Sequence, residues 1–142
     1  MIFLDSGVLV RRYGSRTAVR RPDPSMARGG RGVCVSDLVR VEVHSAMRRR
    51  VRDGSMDPGR ADAALAAFTA DLPDWIRVPV DERVLQRAAE LVGRHPLRSL
   101  DAIHLASALV VRDEAPTPLQ FGSSDARLVA AAEAEGLEIL RT

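Results

Sequence analysis

Short apolar runs alternate with longer amphipathic stretches along the chain. The runs occupy residues 1–5, 33–35, 75–80, 118–123 and 137–140. Each has the length of a buried strand, whereas most of the stretches between them place apolar residues at helical spacing. Strands that alternate with helices predict a parallel sheet covered on both faces, and therefore an α/β fold of three layers.

Capping residues predict where several helices begin and end. Ser36 is expected to cap a helix that stops near Gly54, and Asp57 followed by Pro58 opens another that reaches about Leu72. Further helices are predicted over residues 81–94, 99–111 and 124–136, and a helix or turn over 6–13. By contrast, residues 14–32 are rich in glycine and arginine without a clear period, which predicts a mobile loop with at most one short helix.

Composition narrows the class of protein. With 142 residues, the chain is expected to form a single domain over residues 1–142. No apolar run approaches the length of a membrane span, and nothing resembles a signal peptide, so a cytoplasmic location without membrane contact is expected. Cys34 is the only cysteine, which excludes an internal disulfide and a Cys-rich zinc site.

The charged residues favour an anionic partner only mildly, because the net charge is +2. All 21 basic residues are arginine, which indicates codon bias as readily as RNA binding. The absence of lysine argues against P-loop proteins, receiver domains and aspartate-nucleophile phosphatases.

Glu42 lies where an apolar residue is expected. On a helical wheel it falls near the middle of an apolar arc, and none of its neighbours three or four residues away is cationic. A carboxylate that faces the core without a partner is costly. A distant arginine could pair with it; otherwise Glu42 belongs to a functional site.

Three further acids stand at the ends of predicted elements. Asp5 ends the first strand, Asp125 follows the fourth, and Asp101 lies in the first turn of an otherwise apolar helix that Ser99 is expected to cap. Each has an ordinary explanation: an Asx turn for Asp5, helix capping for Asp125, and the helix dipole for Asp101. However, ligands of parallel sheets bind at the carboxyl ends of the strands. A shared site is therefore the more economical hypothesis.

Four carboxylates at one site would repel one another unless a cation lay among them. Oxygen ligands favour Mg²⁺ or Mn²⁺ over zinc. Such a metal can activate water and stabilise charge on a phosphoryl oxygen, so hydrolysis of a phosphodiester is the expected chemistry.

The segments FLDSGVLV, VSDLVRVEVHSAMRRR, SLDAIHLASAL and FGSSDARLVAAAEAEGLEIL resemble, in order and spacing, the PIN-domain nucleases, and most of all the VapC-type toxins. The resemblance implies a PIN-like α/β/α fold and a Mg²⁺- or Mn²⁺-dependent endoribonuclease. Its catalytic and metal-binding residues would be Asp5, Glu42, Asp101 and Asp125. It also implies a homodimer, an RNA substrate and a small VapB-like antitoxin that covers the site.

Details near the acids modify this expectation. Ser6 and Ser123 are possible accessory residues, whereas Gly7 replaces a hydroxyl residue that relatives often carry. His104 is expected to be a packed or hydrogen-bonded histidine, and the arginine-rich residues 48–52 a solvated helix end.

The sequence is also compatible with two other functions. The chain could be a catalytically weak PIN fold that only binds RNA or a partner, which a metal titration would reveal. It could also be an RNA-processing nuclease without an antitoxin, which the neighbouring gene would reveal.

Overall fold

The computed structural model describes residues 1–15 and 32–141. Its strands are β1 (Ile2–Leu4), β2 (Val33–Ser36), β3 (Ile76–Val78), β4 (Gln120–Gly122) and β5 (Glu138–Ile139). Its helices are α1 (Ser6–Gly14), α2 (Val39–Arg52), α3 (Pro58–Asp71), α4 (Glu82–Arg94), α5 (Ser99–Glu114) and α6 (Ala126–Ala134), with a 3₁₀ turn at Leu72–Asp74.

The strands form one parallel sheet in the order β3-β2-β1-β4-β5. The chain builds outward from β1 to β2 and β3, and then crosses to the other side of β1 to add β4 and β5. The strand order therefore reverses between β1 and β4. Crevices at such reversals, outside the carboxyl ends of the strands, are the usual ligand sites of parallel sheets.

Successive side chains of a strand point to opposite faces of the sheet, where they pack into two separate hydrophobic cores. Ile2 and Leu4 pack on one face with α1, α2 and α3, whereas Phe3 packs on the other with α4, α5 and α6. The Phe3 ring stacks on that of Phe121 from the neighbouring strand, with centroids 5.8 Å apart. Helices thus cover both faces, which confirms the three-layer α/β/α prediction.

Most predicted boundaries agree with the structure to within a few residues. Asp57 caps α3 by accepting hydrogen bonds from the amides of Gly59 and Arg60. Asp81 caps α4 in the same way through the amide of Val84. These ends are correctly predicted because a capping side chain and its amide partners are close in sequence.

Two predicted caps are wrong. Ser36 is the last residue of β2, where it pairs with Val78, and α2 begins only at Val39. Ser99 is the first residue of α5, and the capping position falls to Arg98, which makes no side-chain cap. In the first case the neighbouring strand β3 extends the sheet by one residue, a long-range effect that a local capping pattern does not contain.

Further predictions concern single residues and short segments of the chain. Val41 belongs to the apolar arc that the helical wheel places around Glu42, but the residue is 71% exposed, so this part of the predicted arc is wrong. The predicted loop over residues 14–32 lies mostly outside the described residues. Arg48, Arg49 and Arg52 are exposed near the end of α2, as predicted, and Arg48 forms an ion pair with Asp62. Within residues 1–15 and 32–141, no helix is both long and apolar enough to cross a membrane.

Candidate metal centre

Asp5 leaves β1 at the reversal of strand order and is 5% exposed. Its Oδ1 accepts a hydrogen bond of 2.9 Å from the amide of Val8, which caps α1. Its Oδ2 accepts one of 2.5 Å from the Ser123 hydroxyl, beyond β4. The expected Asx turn is therefore a helix cap, and Asp5 ties together the two strands on either side of the crevice.

Glu42 reaches the site from α2, and both of its carboxylate oxygens have partners. Oε2 accepts a hydrogen bond of 3.0 Å from the hydroxyl of Ser6. Oε1 lies 2.6 Å from Nε2 of His104 on α5, whose side chain is 1% exposed. The partner of this half-buried carboxylate is thus a histidine on a helix of the opposite layer, rather than the arginine considered above.

Asp101 lies in the first turn of α5 and is half-buried. Burial raises the pKa of its carboxyl, and the negative charges of Asp125, Asp5 and Glu42 raise it further, whereas the His104 ring acts in the opposite direction. The electrostatic influence of all three other acids on Asp101 means that the four carboxylates occupy one neighbourhood.

Asp125 caps α6 and is exposed. Its Oδ1 accepts hydrogen bonds from the amides of Arg127 and Leu128, at 2.8 and 3.2 Å. Its own amide donates to the Ser123 hydroxyl at 3.1 Å. Ser123 thereby links the last acid to Asp5. The capping explanation holds for Asp125, whose second carboxylate oxygen, Oδ2, accepts no hydrogen bond within residues 1–15 and 32–141.

The structure therefore brings all four predicted acids, with Ser6 and Ser123, to the end of the sheet where the strand order reverses. Across residues 1–15 and 32–141, however, no three His, Cys, Asp or Glu side chains approach closely enough to share one metal ion.

The donor set nevertheless fits a hard cation. It offers carboxylate and hydroxyl oxygens. Burial and, after it, the charges of the other acids raise the pKa of Asp101, and a bound cation would counteract both effects by favouring the ionised carboxylate. Mg²⁺ commonly binds one or two carboxylates directly and keeps several waters, so carboxylates that do not all converge on one point are compatible with it. Asp5, Glu42, Asp101 and Asp125 are the residues that would hold the metal.

The contact between His104 and Glu42 is not predicted by the sequence. His104 was expected to be packed or hydrogen-bonded, but its partner was not predicted. The available signal was its position three residues after Asp101, which places both on neighbouring faces of one helix.

Comparisons with known proteins identify similar sequences and folds. The model of the family described as "PIN domain" matches residues 2–117. Among curated protein sequences, none matches the chain.

Several solved structures share the fold. VapC20 of Mycobacterium tuberculosis, a toxin that cleaves the sarcin–ricin loop, is 20% identical, with a TM-score of 0.64 and 100% of each chain covered. FitAcB of Neisseria gonorrhoeae is 15% identical, with a TM-score of 0.65 and coverage of 99% of this chain and 97% of that one. VapBC2 of Rickettsia felis, bound to a DNA fragment from its promoter, is 8% identical, with a TM-score of 0.68 and coverage of 99% and 98%. At these identities, the similarity concerns the fold.

Proposed function

Because this chain belongs to the PIN domain family, we propose that it is a Mg²⁺- or Mn²⁺-dependent endoribonuclease and the toxin of a toxin–antitoxin pair. One observation carries the enzymatic part of this proposal. Four acids from separate segments occupy one end of the sheet, and in addition to burial, which is the largest cause, the charges of the other three raise the pKa of Asp101. Structural acids are usually paired with cations, so a group of mutually repelling acids favours a metal site.

The proposed roles follow from how each acid is held. Asp5, Glu42, Asp101 and Asp125 bind the metal, directly or through its waters. Such a metal activates a water molecule and stabilises negative charge on the phosphoryl oxygens. Ser123 keeps Asp5 oriented, and Ser6 does the same for Glu42.

Proton transfer must be assigned without His104. The ring is 1% exposed and its Nε2 is engaged with Glu42, so it cannot reach a substrate in the cleft. The proton of the attacking water therefore passes to solvent or to a carboxylate of the site.

Cleavage of labelled RNA oligonucleotides, including a sarcin–ricin loop, tests the proposal directly. We expect cleavage with Mg²⁺ or Mn²⁺, none in EDTA, and none of DNA of the same sequence. The Glu42→Gln variant should lose cleavage together with the metal-induced rise in melting temperature, because an amide is a poor ligand for a hard cation.

Glu90→Gln is the matched control, since Glu90 is an exposed acid on α4. It should keep both properties. If the wild-type chain binds RNA but neither cleaves it nor responds to metal, the alternative of a binding module without catalysis is correct.

The toxin assignment makes a separate prediction about partners. Structural neighbours include a toxin–antitoxin complex from Klebsiella pneumoniae, and this supports an antitoxin for the present chain. We expect a homodimer that binds the short product of the adjacent gene, and that product should inhibit cleavage. Light scattering at micromolar concentration measures the first expectation and co-purification the second. A monomer with no such neighbour, yet with metal-dependent cleavage, would indicate an RNA-processing nuclease instead.

A further inference from the structure

His104 is an unusual residue to find in the core of this protein. It is 1% exposed and belongs to α5, whose neighbouring buried residues are mostly alanine, leucine and valine. Burying an imidazole has a cost unless its polar atoms are bonded. One of its nitrogens, Nδ1, is buried without any hydrogen-bond partner among the described residues. Packing alone therefore does not account for the residue.

Among the residues that the structure describes, the other ring nitrogen has one hydrogen-bond partner, at a short distance. Nε2 lies 2.6 Å from Oε1 of Glu42, which is 62 positions away in the sequence. An ionised carboxylate only accepts hydrogen bonds, so Nε2 must carry the proton and donate it. A bare Nδ1 then costs less than a buried Nδ1–H without an acceptor. The geometry corresponds to a ring protonated on Nε2.

We infer that His104 is a positioning residue: its Nε2–H holds Glu42 in the orientation in which that carboxylate binds metal. Ser6 donates to the second oxygen at 3.0 Å, so the carboxylate is fixed at both ends. A carboxylate still has lone pairs free when each oxygen accepts one hydrogen bond. The inference rests on the proposed function, since it assumes that Glu42 faces a metal.

Two substitutions of equal length separate the hydrogen bond from the volume of the ring. In His104→Gln, the amide nitrogen lies as many bonds from Cα as Nε2 does and retains an N–H donor. In His104→Met, a side chain of the same length has no donor. Both lose the ring, so the difference between them reports the hydrogen bond to Glu42.

The decisive measurement is the affinity for Mn²⁺, followed by electron paramagnetic resonance of the free ion. Loss of a partner that orients a metal ligand weakens metal binding by roughly 10–100-fold. We therefore expect His104→Met to bind Mn²⁺ roughly 10–100-fold more weakly than the wild type. The affinity of His104→Gln should remain within about threefold of the wild-type value. The Mn²⁺ concentration for half-maximal cleavage should shift in parallel. A purely structural role would change the melting temperature in EDTA and leave the affinity for Mn²⁺ unchanged.

Each other outcome has a defined meaning. If His104→Met binds Mn²⁺ as tightly as the wild type, or if both variants lose affinity equally, the inference is wrong while the proposed function stands. If the wild type itself neither binds Mn²⁺ nor cleaves RNA, the proposed function fails and the inference with it.

A measurement on the wild type tests the positioning role of His104 even if the variants do not fold. Nitrogen-15 spectra of the histidine rings distinguish the two positions of the proton, and the chain has only 3 histidines to assign. We expect His104 to be protonated on Nε2, and its Nε2–H resonance to move when Mg²⁺ is added to the wild type. A ring protonated only on Nδ1, or a resonance that Mg²⁺ leaves unchanged, would overturn the inference.

Discussion

Asp101→Asn tests whether the acids of the site repel one another in the folded protein. Burial is the largest cause that raises the pKa of Asp101, followed by the charge of Asp125 and, more weakly, by those of Asp5 and Glu42. An acid with a higher pKa in the folded chain binds more protons there than in the unfolded chain. The free energy of unfolding therefore falls as pH rises from the unfolded value, near 3.9, through the folded one.

The expected gain is small, because Asp101 is only partly buried. Screened interactions of this kind amount to about 0.2–1 kcal/mol. The dipole of α5 favours a negative charge in its first turn by about 0.3–1 kcal/mol and offsets part of the repulsion. These two contributions nearly cancel, and burial, the largest cause of the raised pKa, leaves the charged carboxylate at a net disadvantage. We therefore expect Asp101→Asn to raise the free energy of unfolding in EDTA by at most about 0.5 kcal/mol, or the melting temperature by at most about 2 °C.

Thermal melts in EDTA from about pH 3.5, below the unfolded value, to about pH 8 measure this effect. The stabilisation should be greatest above the folded-state pKa and shrink as pH falls, while cleavage is abolished throughout. Asp113→Asn, at the other end of the same helix, is the matched control with the opposite sign. Burial alone would raise the pKa of Asp113, but hydrogen bonds from Arg112 and Arg87 outweigh it and lower the pKa, so its neutralisation should destabilise. A destabilised Asp101→Asn in EDTA at neutral pH would refute the repulsion argument.

Three further substitutions separate structure from function. Asp125→Ala removes the cap of α6 and should lower the free energy of unfolding by about 1 kcal/mol by urea titration, in addition to abolishing cleavage. Tyr13→Phe removes a hydrogen bond of 2.7 Å to Asp71, and should cost about 1.5–3 kcal/mol while Mn²⁺ affinity stays unchanged. Gly122→Ala would place a Cβ 2.8 Å from Leu4 Cδ2, and should cost about 1–3 kcal/mol in the same titration. A neutral effect of any of these would contradict the contact on which it rests.

The order of strands and helices was predictable because its signals are local. Apolar runs, caps and glycines at helix ends each act over a few residues, and Gly136, with φ of 83°, stands at the predicted end of α6. The wrong cap at Ser36 has a different origin. That residue belongs to the sheet through its pairing with Val78, more than forty positions away, and no local pattern contains that pairing.

The candidate site could likewise be predicted from the sequence only in part. The position of Glu42 within an apolar arc showed that the residue needed a partner, but not what that partner was. The structure supplies Ser6 from one helix and His104 from another. Both contacts depend on how α1, α2 and α5 pack, and only the folded chain fixes that arrangement.

The four acids differ in what else they do, and this difference decides how the site can be studied. Asp5 and Asp125 cap helices, and Glu42 joins two layers of the fold through its hydrogen bonds. Substituting any of these three disturbs local structure as well as the proposed chemistry. The pKa of Asp101 is shifted only by burial and by charges, with no hydrogen-bond contribution from the described residues. Asp101 is therefore the acid whose neutralisation most cleanly separates loss of metal binding from loss of folding.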